Sequence, residues 1–126
     1  MKVPGQDHPI TIARNPQRVR VRFNGRVIAD TTRALTLKEA HYPPVQYIPR
    51  EDADMDAFAA TKHRTHCPYK GDASYFTLTA DGRTSENAVW SYEQPFPAVQ
   101  AIAEHLAFYP DRVDAIEVGD VGISAA

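Results

Sequence analysis

The sequence predicts a mostly-β, α+β fold of antiparallel strands with one main helix near its C-terminal end. Three observations lead there. Alternating apolar and polar runs are joined by Asn-Gly and Asp-Gly pairs, the signature of hairpins. Ten prolines among 126 residues are too many for long helices. Finally, helical periodicity is confined to one late stretch, so helices do not alternate with strands and a doubly wound parallel sheet is disfavoured.

Arg18 to Phe23 alternates strictly, sending Val19, Val21 and Phe23 to one face and Arg18, Arg20 and Arg22 to the other. Asn24-Gly25 suits a type I′ turn, whose two central residues both need positive φ, and Arg26 to Asp30 returns as the second strand. Ala34 to Glu39 alternates again with Leu35 and Leu37 inward. Val45 to Ile48, hemmed by Pro43, Pro44 and Pro49, is a short strand because proline cannot donate into a central ladder. Residues 50–60 suit a short helix or an irregular loop. Ala73 to Thr79 and Asn87 to Tyr92 flank Asp81-Gly82 and read as a second hairpin with a longer loop. Pro97 opens the predicted helix, with Val99, Ile102, Ala103 and Leu106 on one stripe, and Pro110 ends it. Val113 to Val118 is the last strand. The expected organisation is one domain over residues 1–126, with a core at about 16–118, an N-terminal arm at 1–15 and a frayed tail at 119–126.

Composition narrows the class of function. The length and a 43% hydrophobic content suit one packed core. No run approaches the roughly 18 apolar residues of a membrane span, and the N-terminus lacks a signal-peptide apolar region, so a cytoplasmic protein without a membrane partner is expected. Residues 1–33 carry seven Lys and Arg against two Asp, whereas the remainder carries seven against fourteen Asp and Glu. That basic segment either pairs with the acidic remainder or lines a solvated sheet face. A pI of about 6.2 argues against nucleic acid as a partner.

The most unusual segment is His63 to Gly71, which brings two imidazoles, a thiol, a phenol and an ammonium together. A cation near a thiol favours the reactive thiolate, so Cys67 with Lys70 is a candidate nucleophile pair, with His66 as the other activator. The competing reading packs Cys67 as a small hydrophobe beneath a proline turn. One cysteine forbids an internal disulfide or a multi-cysteine zinc site, and His63, His66 and Cys67 fall short of four ligands; no metal and no cofactor are expected. Asp52, Asp54 and Asp56 mimic the start of a calcium loop, but Ala57 stands where glycine is needed and His63 where glutamate is needed. The same carboxylates could hold magnesium in a nucleotidyl transferase, yet no glycine-rich phosphate cradle accompanies them. No Gly-x-Ser-x-Gly elbow is present. Tyr42, Tyr47, Tyr69, Tyr75, Trp90 and Tyr92 concentrate aromatics in mid-chain, and adjacent Tyr75 and Phe76 point to opposite faces of a strand, which suggests a lined pocket. Arg50 would add a planar fork for a carboxylate or phosphate.

Phe23 to Asp30, Tyr47 to Asp52, Thr65 to Tyr75, Trp90-Ser91-Tyr92 and Leu106 to Tyr109 together resemble the bacterial domain of unknown function family 427, sometimes labelled nucleotidyltransferase-like. The resemblance covers roughly residues 16–118, and Cys67-Pro68-Tyr69-Lys70-Gly71 is its most specific part. It implies a β-tent, two antiparallel sheets meeting at an angle, similar to methionine sulfoxide reductase B and the ligand-binding domain of cereblon. Relatives of that fold often pin the tent with four zinc cysteines; with one cysteine, no structural zinc is expected here.

The leading expectation is a domain that binds a small, anionic metabolite in a polar and aromatic pocket. Tyr47, Arg50, His66, Tyr69, Tyr75 and Trp90 are the candidate ligand-binding residues, and Cys67 and Lys70 the candidate catalytic ones. An enzyme using Cys67 as nucleophile, or a nucleotidyltransferase-like activity, is the alternative. A third reading is an interaction or homo-oligomerisation module.

Overall fold

Ten strands form three antiparallel sheets in the computed structural model, which describes residues 1–119. In chain order they are β1 (Ile10–Asn15), β2 (Val19–Phe23), β3 (Arg26–Thr31), β4 (Ala34–Glu39), β5 (Val45–Tyr47), β6 (Phe58–Cys67), β7 (Gly71–Ala80), β8 (Arg83–Ser91), β9 (Ala107–Phe108) and β10 (Ala115–Val118). The sheets have the orders β1-β4-β5, β10-β2-β3 and β6-β7-β8-β9. This corrects the expected two-sheet tent. The strand pattern legible in the sequence began at Arg18, but Ile10 to Asn15 pairs with β4 along its whole length and gives that sheet its third strand. From residue 120 on, the expected tail lies outside the described residues.

The main C-terminal helix is also absent. Pro97–Ile102 forms only a 3-10 turn, interrupted at Val99 (φ −124°, ψ 27°). Glu104 then takes φ 61°, and Leu106 to Phe108 runs extended. The apolar stripe was real, since Val99, Ile102 and Leu106 are fully buried. Helical spacing did not decide the conformation, for two reasons. A segment shorter than about 12 residues has little helical stability of its own, and pairing Ala107 and Phe108 with β8 satisfies backbone groups that a helix would have bonded internally. No helix among the described residues is long and apolar enough to cross a membrane.

Hairpin chemistry holds more firmly. Asn24 (φ 51°) and Gly25 (φ 79°) form the expected turn between β2 and β3. Asp81 (φ 51°) and Gly82 (φ 84°) form an equally tight one, so the second hairpin has no longer loop: Ala80 pairs directly with Arg83. The residues that suggested a loop instead hold a bulge, where Asn87 (φ 50°) donates its backbone N–H to Thr77 Oγ1 at 3.1 Å. Residues 50–60 divide into 3-10 turns at Arg50–Asp52 and Met55–Ala57, followed by the start of β6.

The inner part of the four-stranded sheet, β7 with the end of β8 and β9, is covered on both faces, while the edge strand β6 is mostly exposed. Phe76, Val89 and Phe108 pack with Val19, Val21 and Phe23 of the β2 sheet, while Tyr75, Trp90 and Ala107 face Leu37 and Tyr47 of the β1 sheet. Ile48 and Leu106 exchange two backbone hydrogen bonds of 2.8 Å and tie the end of β5 to the strand before β9. The arginines on and just before β2 are mostly paired with acidic residues. Arg18 forks onto Asp30 at 2.6 and 2.8 Å, and Arg22 meets Glu117 at 2.9 Å. The picture of a uniformly solvated ridge fails at Arg20, which is buried 3.6 Å from Glu117 and whose Nε–H finds no acceptor among the described residues.

Candidate functional site

A cavity of about 440 Å³ lies between β4–β5 and the four-stranded sheet, within the size range of small-molecule sites. Strand periodicity aims its walls. Leu37 and Glu39 share one face of β4, Val45 and Tyr47 one face of β5, and Tyr75 and Trp90 are direct cross-strand neighbours on β7 and β8. The end of β6 supplies Cys67 and the turn that follows supplies Lys70, and Tyr42 and Pro43 form an exposed rim.

Lys70 is buried, and its ammonium is paired with Glu39. The other oxygen of Glu39 meets His8 Nε2 at 2.7 Å, and the His8 ring stacks on Tyr69 at 3.9 Å. Burial alone would raise the Glu39 pKa, but hydrogen bonds from Lys70 and His8, together with their charges, overcome it and hold the carboxyl below its ordinary value. A depressed folded-state pKa contributes stability above the unfolded value, and this is lost as pH falls through the folded one. Urea denaturation should therefore show wild type more stable than Glu39→Gln at pH 7, with the gap narrowing as the pH falls below the ordinary glutamate value of about 4.3. A gap that stays constant or widens as the pH is lowered would contradict the pairing.

The remaining wall is a network of hydroxyls. Thr65 Oγ1 lies 2.9 Å from the Tyr75 hydroxyl, which lies 3.1 Å from that of Tyr109. Trp90 Nε1 donates to the Tyr47 hydroxyl at 3.2 Å, and its indole packs on Tyr109 with ring centroids 4.5 Å apart. Tyr92 is 6% exposed and lines the cavity, yet its hydroxyl makes no hydrogen bond among the described residues. Burial pushes the phenols of Tyr47 and Tyr92 well above the usual tyrosine range, and burial with the Tyr75 bond pushes Tyr109 up to about 12. These phenols stay protonated and available as donors.

Of the residues singled out from sequence, the structure brings Tyr47, His66, Cys67, Lys70, Tyr75 and Trp90 to this one cavity. Arg50 and Tyr69 lie elsewhere. Arg50 donates to the Glu104 carbonyl at 2.7 Å and to Ser91 Oγ at 3.0 Å, and it lines a separate hollow with Arg14, Arg33 and His105. Tyr69 is held by the N-terminal segment, whose Lys2 N–H also bonds the Pro68 carbonyl at 2.7 Å. His66 sits at the exposed edge, bonded to Asp72 at 2.7 Å. Cys67 is half-buried, and no hydrogen bond reaches its sulfur among the described residues. In the acidic segment, Asp52 bonds Thr31 and Arg33 while Asp54 pairs with Arg26. No group of three or more metal-ligating side chains forms among the described residues.

Sequence reasoning missed Glu39 and Tyr109, and placed Tyr92 only among the mid-chain aromatics, not among the candidate ligand-binding residues. The signal for Glu39 was present: it shares the inward parity of Leu37, and a carboxylate on an inward strand position requires a buried cation. No curated protein matches the chain. All the cavity-lining residues fall within residues 11–119, which match the family described as Domain of unknown function (DUF427), and the chain belongs to that family.

Proposed function

We propose that the tyrosine cavity binds a small neutral molecule rich in hydrogen-bond acceptors, such as carbonyl oxygens. The observation that carries this reading is the Tyr92 hydroxyl: the residue lines the cavity and its hydroxyl has no hydrogen-bond partner among the described residues. A phenol at a cavity wall with no protein partner is free to donate to a ligand acceptor. Supporting it, the Lys70 ammonium has three donors and one carboxylate partner, while both oxygens of that carboxylate are already engaged. The Tyr47 hydroxyl accepts from Trp90 and keeps its own proton to donate. Donors thus outnumber acceptors around the cavity.

Charge selects among ligands. Glu39 already neutralises Lys70, and the protonated phenols add no charge, so the site favours a neutral acceptor over the anionic metabolite suggested by the sequence. The same pairing weighs against Cys67 as a nucleophile, because the ammonium meant to activate it is held by Glu39. A thermal-shift comparison of neutral amides and ketones with carboxylates and amines tests the reading. Neutral carbonyl compounds should stabilise the protein most. The Tyr92→Phe variant should bind them roughly tenfold more weakly, the loss of one hydrogen bond of about 1–1.5 kcal/mol. Equal stabilisation of wild type and Tyr92→Phe would overturn it.

A further inference from the structure

We infer that the tyrosine cavity is the polar half of a two-part site, and that its ligand carries an unbranched apolar tail lying in the adjoining groove. This inference rests on the binding role proposed above. The groove encloses about 510 Å³ where the three sheets meet. Val21 comes from β2, Ile116 and Val118 from β10, Phe108 from β9 and Val45 from β5. Among the described residues, no charged side chain lines it.

The groove and the cavity border each other along Tyr42, Pro43, Val45 and Trp90. Trp90 serves both: its indole N–H bonds the Tyr47 hydroxyl on the polar side, and the same side chain lines the groove. One neighbour therefore offers protonated phenols and an ammonium, and the other offers only aliphatic and aromatic walls with the Gln46 amide. A wholly polar ligand would leave the second hollow to water, and a wholly apolar one would leave the Tyr92 and Lys70 donors unmatched. An amphipathic ligand with an acceptor head and an alkyl tail matches both chemistries at once. Each methylene removed from water into such a groove should tighten binding about fourfold.

Trp90 is the only tryptophan of the chain, so its emission reports directly on the junction. Titration with straight-chain primary amides from acetamide to decanamide provides the test. Affinity should rise about fourfold per methylene until the groove is filled. Tyr92→Phe should weaken every member by a similar factor, whereas Ile116→Gln should flatten the dependence on chain length and leave acetamide unaffected. Val118→Thr, a milder change in the same wall, serves if Ile116→Gln fails to fold. Affinity independent of chain length, but still sensitive to Tyr92→Phe, would overturn the two-part site while leaving the polar cavity as a binding site. Affinity that grows with length but ignores Tyr92→Phe would show the groove binding alone, and would overturn the placement of the head. Absence of binding across the series would overturn both.

Discussion

Replacing Lys70 by methionine is expected to destabilise the protein by about 3 kcal/mol, the cost of removing one partner from a buried ion pair. The reason lies in what remains. Glu39 would keep its inward position on β4, with only His8 beside it, in a wall otherwise built from Leu37, Val45 and tyrosines. Methionine fills much of the volume of lysine but supplies no donor, so the loss measures charge and hydrogen bonding rather than packing. The double variant Lys70→Met/Glu39→Leu should recover most of the stability, because a pair replaced on both sides by apolar groups is nearly neutral. Urea denaturation of the four proteins of this cycle gives the coupling directly. A double variant as unstable as Lys70→Met alone would mean that the lysine acts through something other than Glu39.

Leu106→Ala is expected to cost about 3–4 kcal/mol, toward the upper part of the range for large-to-small core changes. Leu106 is fully buried, and its backbone exchanges hydrogen bonds with Ile48 on both its N–H and its C=O. The residue is therefore fixed from two directions and its surroundings cannot collapse into the space left behind. Val27→Ala on β3, where the side chain is 39% exposed, should change stability by no more than about 0.5 kcal/mol. Both are read from the midpoint of denaturant unfolding at unchanged slope. A cost below about 1 kcal/mol at Leu106 would indicate a mobile segment where the structure has a buried seam.

Short-range chemistry was the legible part of this sequence. Asn24-Gly25 and Asp81-Gly82 announced their turns because few other residue pairs take two positive φ angles, and strand alternation assigned Val19, Val21 and Phe23 to the core. Long-range competition was not legible. Val99, Ile102 and Leu106 satisfy helical spacing equally well when a 3-10 turn and an extended segment bury them against two sheets. Tyr75 and Phe76 were expected to send one ring out of the core, yet both are buried, because both faces of β7 are covered at these positions. That covering depends on β1 pairing with β4, a contact that no local pattern encodes.

The candidate site divides in the same way. Cys67 and Lys70 belong to one hairpin, and Tyr47, Tyr75 and Trp90 belonged to strands already visible, so their meeting in one cavity follows from inward parity. Arg50 separates from them because its guanidinium is drawn to the Glu104 carbonyl, 54 residues away in the chain. Tyr92 and Tyr109 lie just beyond β8 and β9, where strand parity no longer applies.

Crystals of the protein soaked in concentrated acetamide test the central claim most directly. The account predicts an acetamide molecule inside the tyrosine cavity, with its carbonyl oxygen about 2.7–3.0 Å from the Tyr92 hydroxyl and within reach of the Lys70 ammonium. A cavity that takes up no acetamide, with the Tyr92 hydroxyl bonded instead to another protein group, would contradict it.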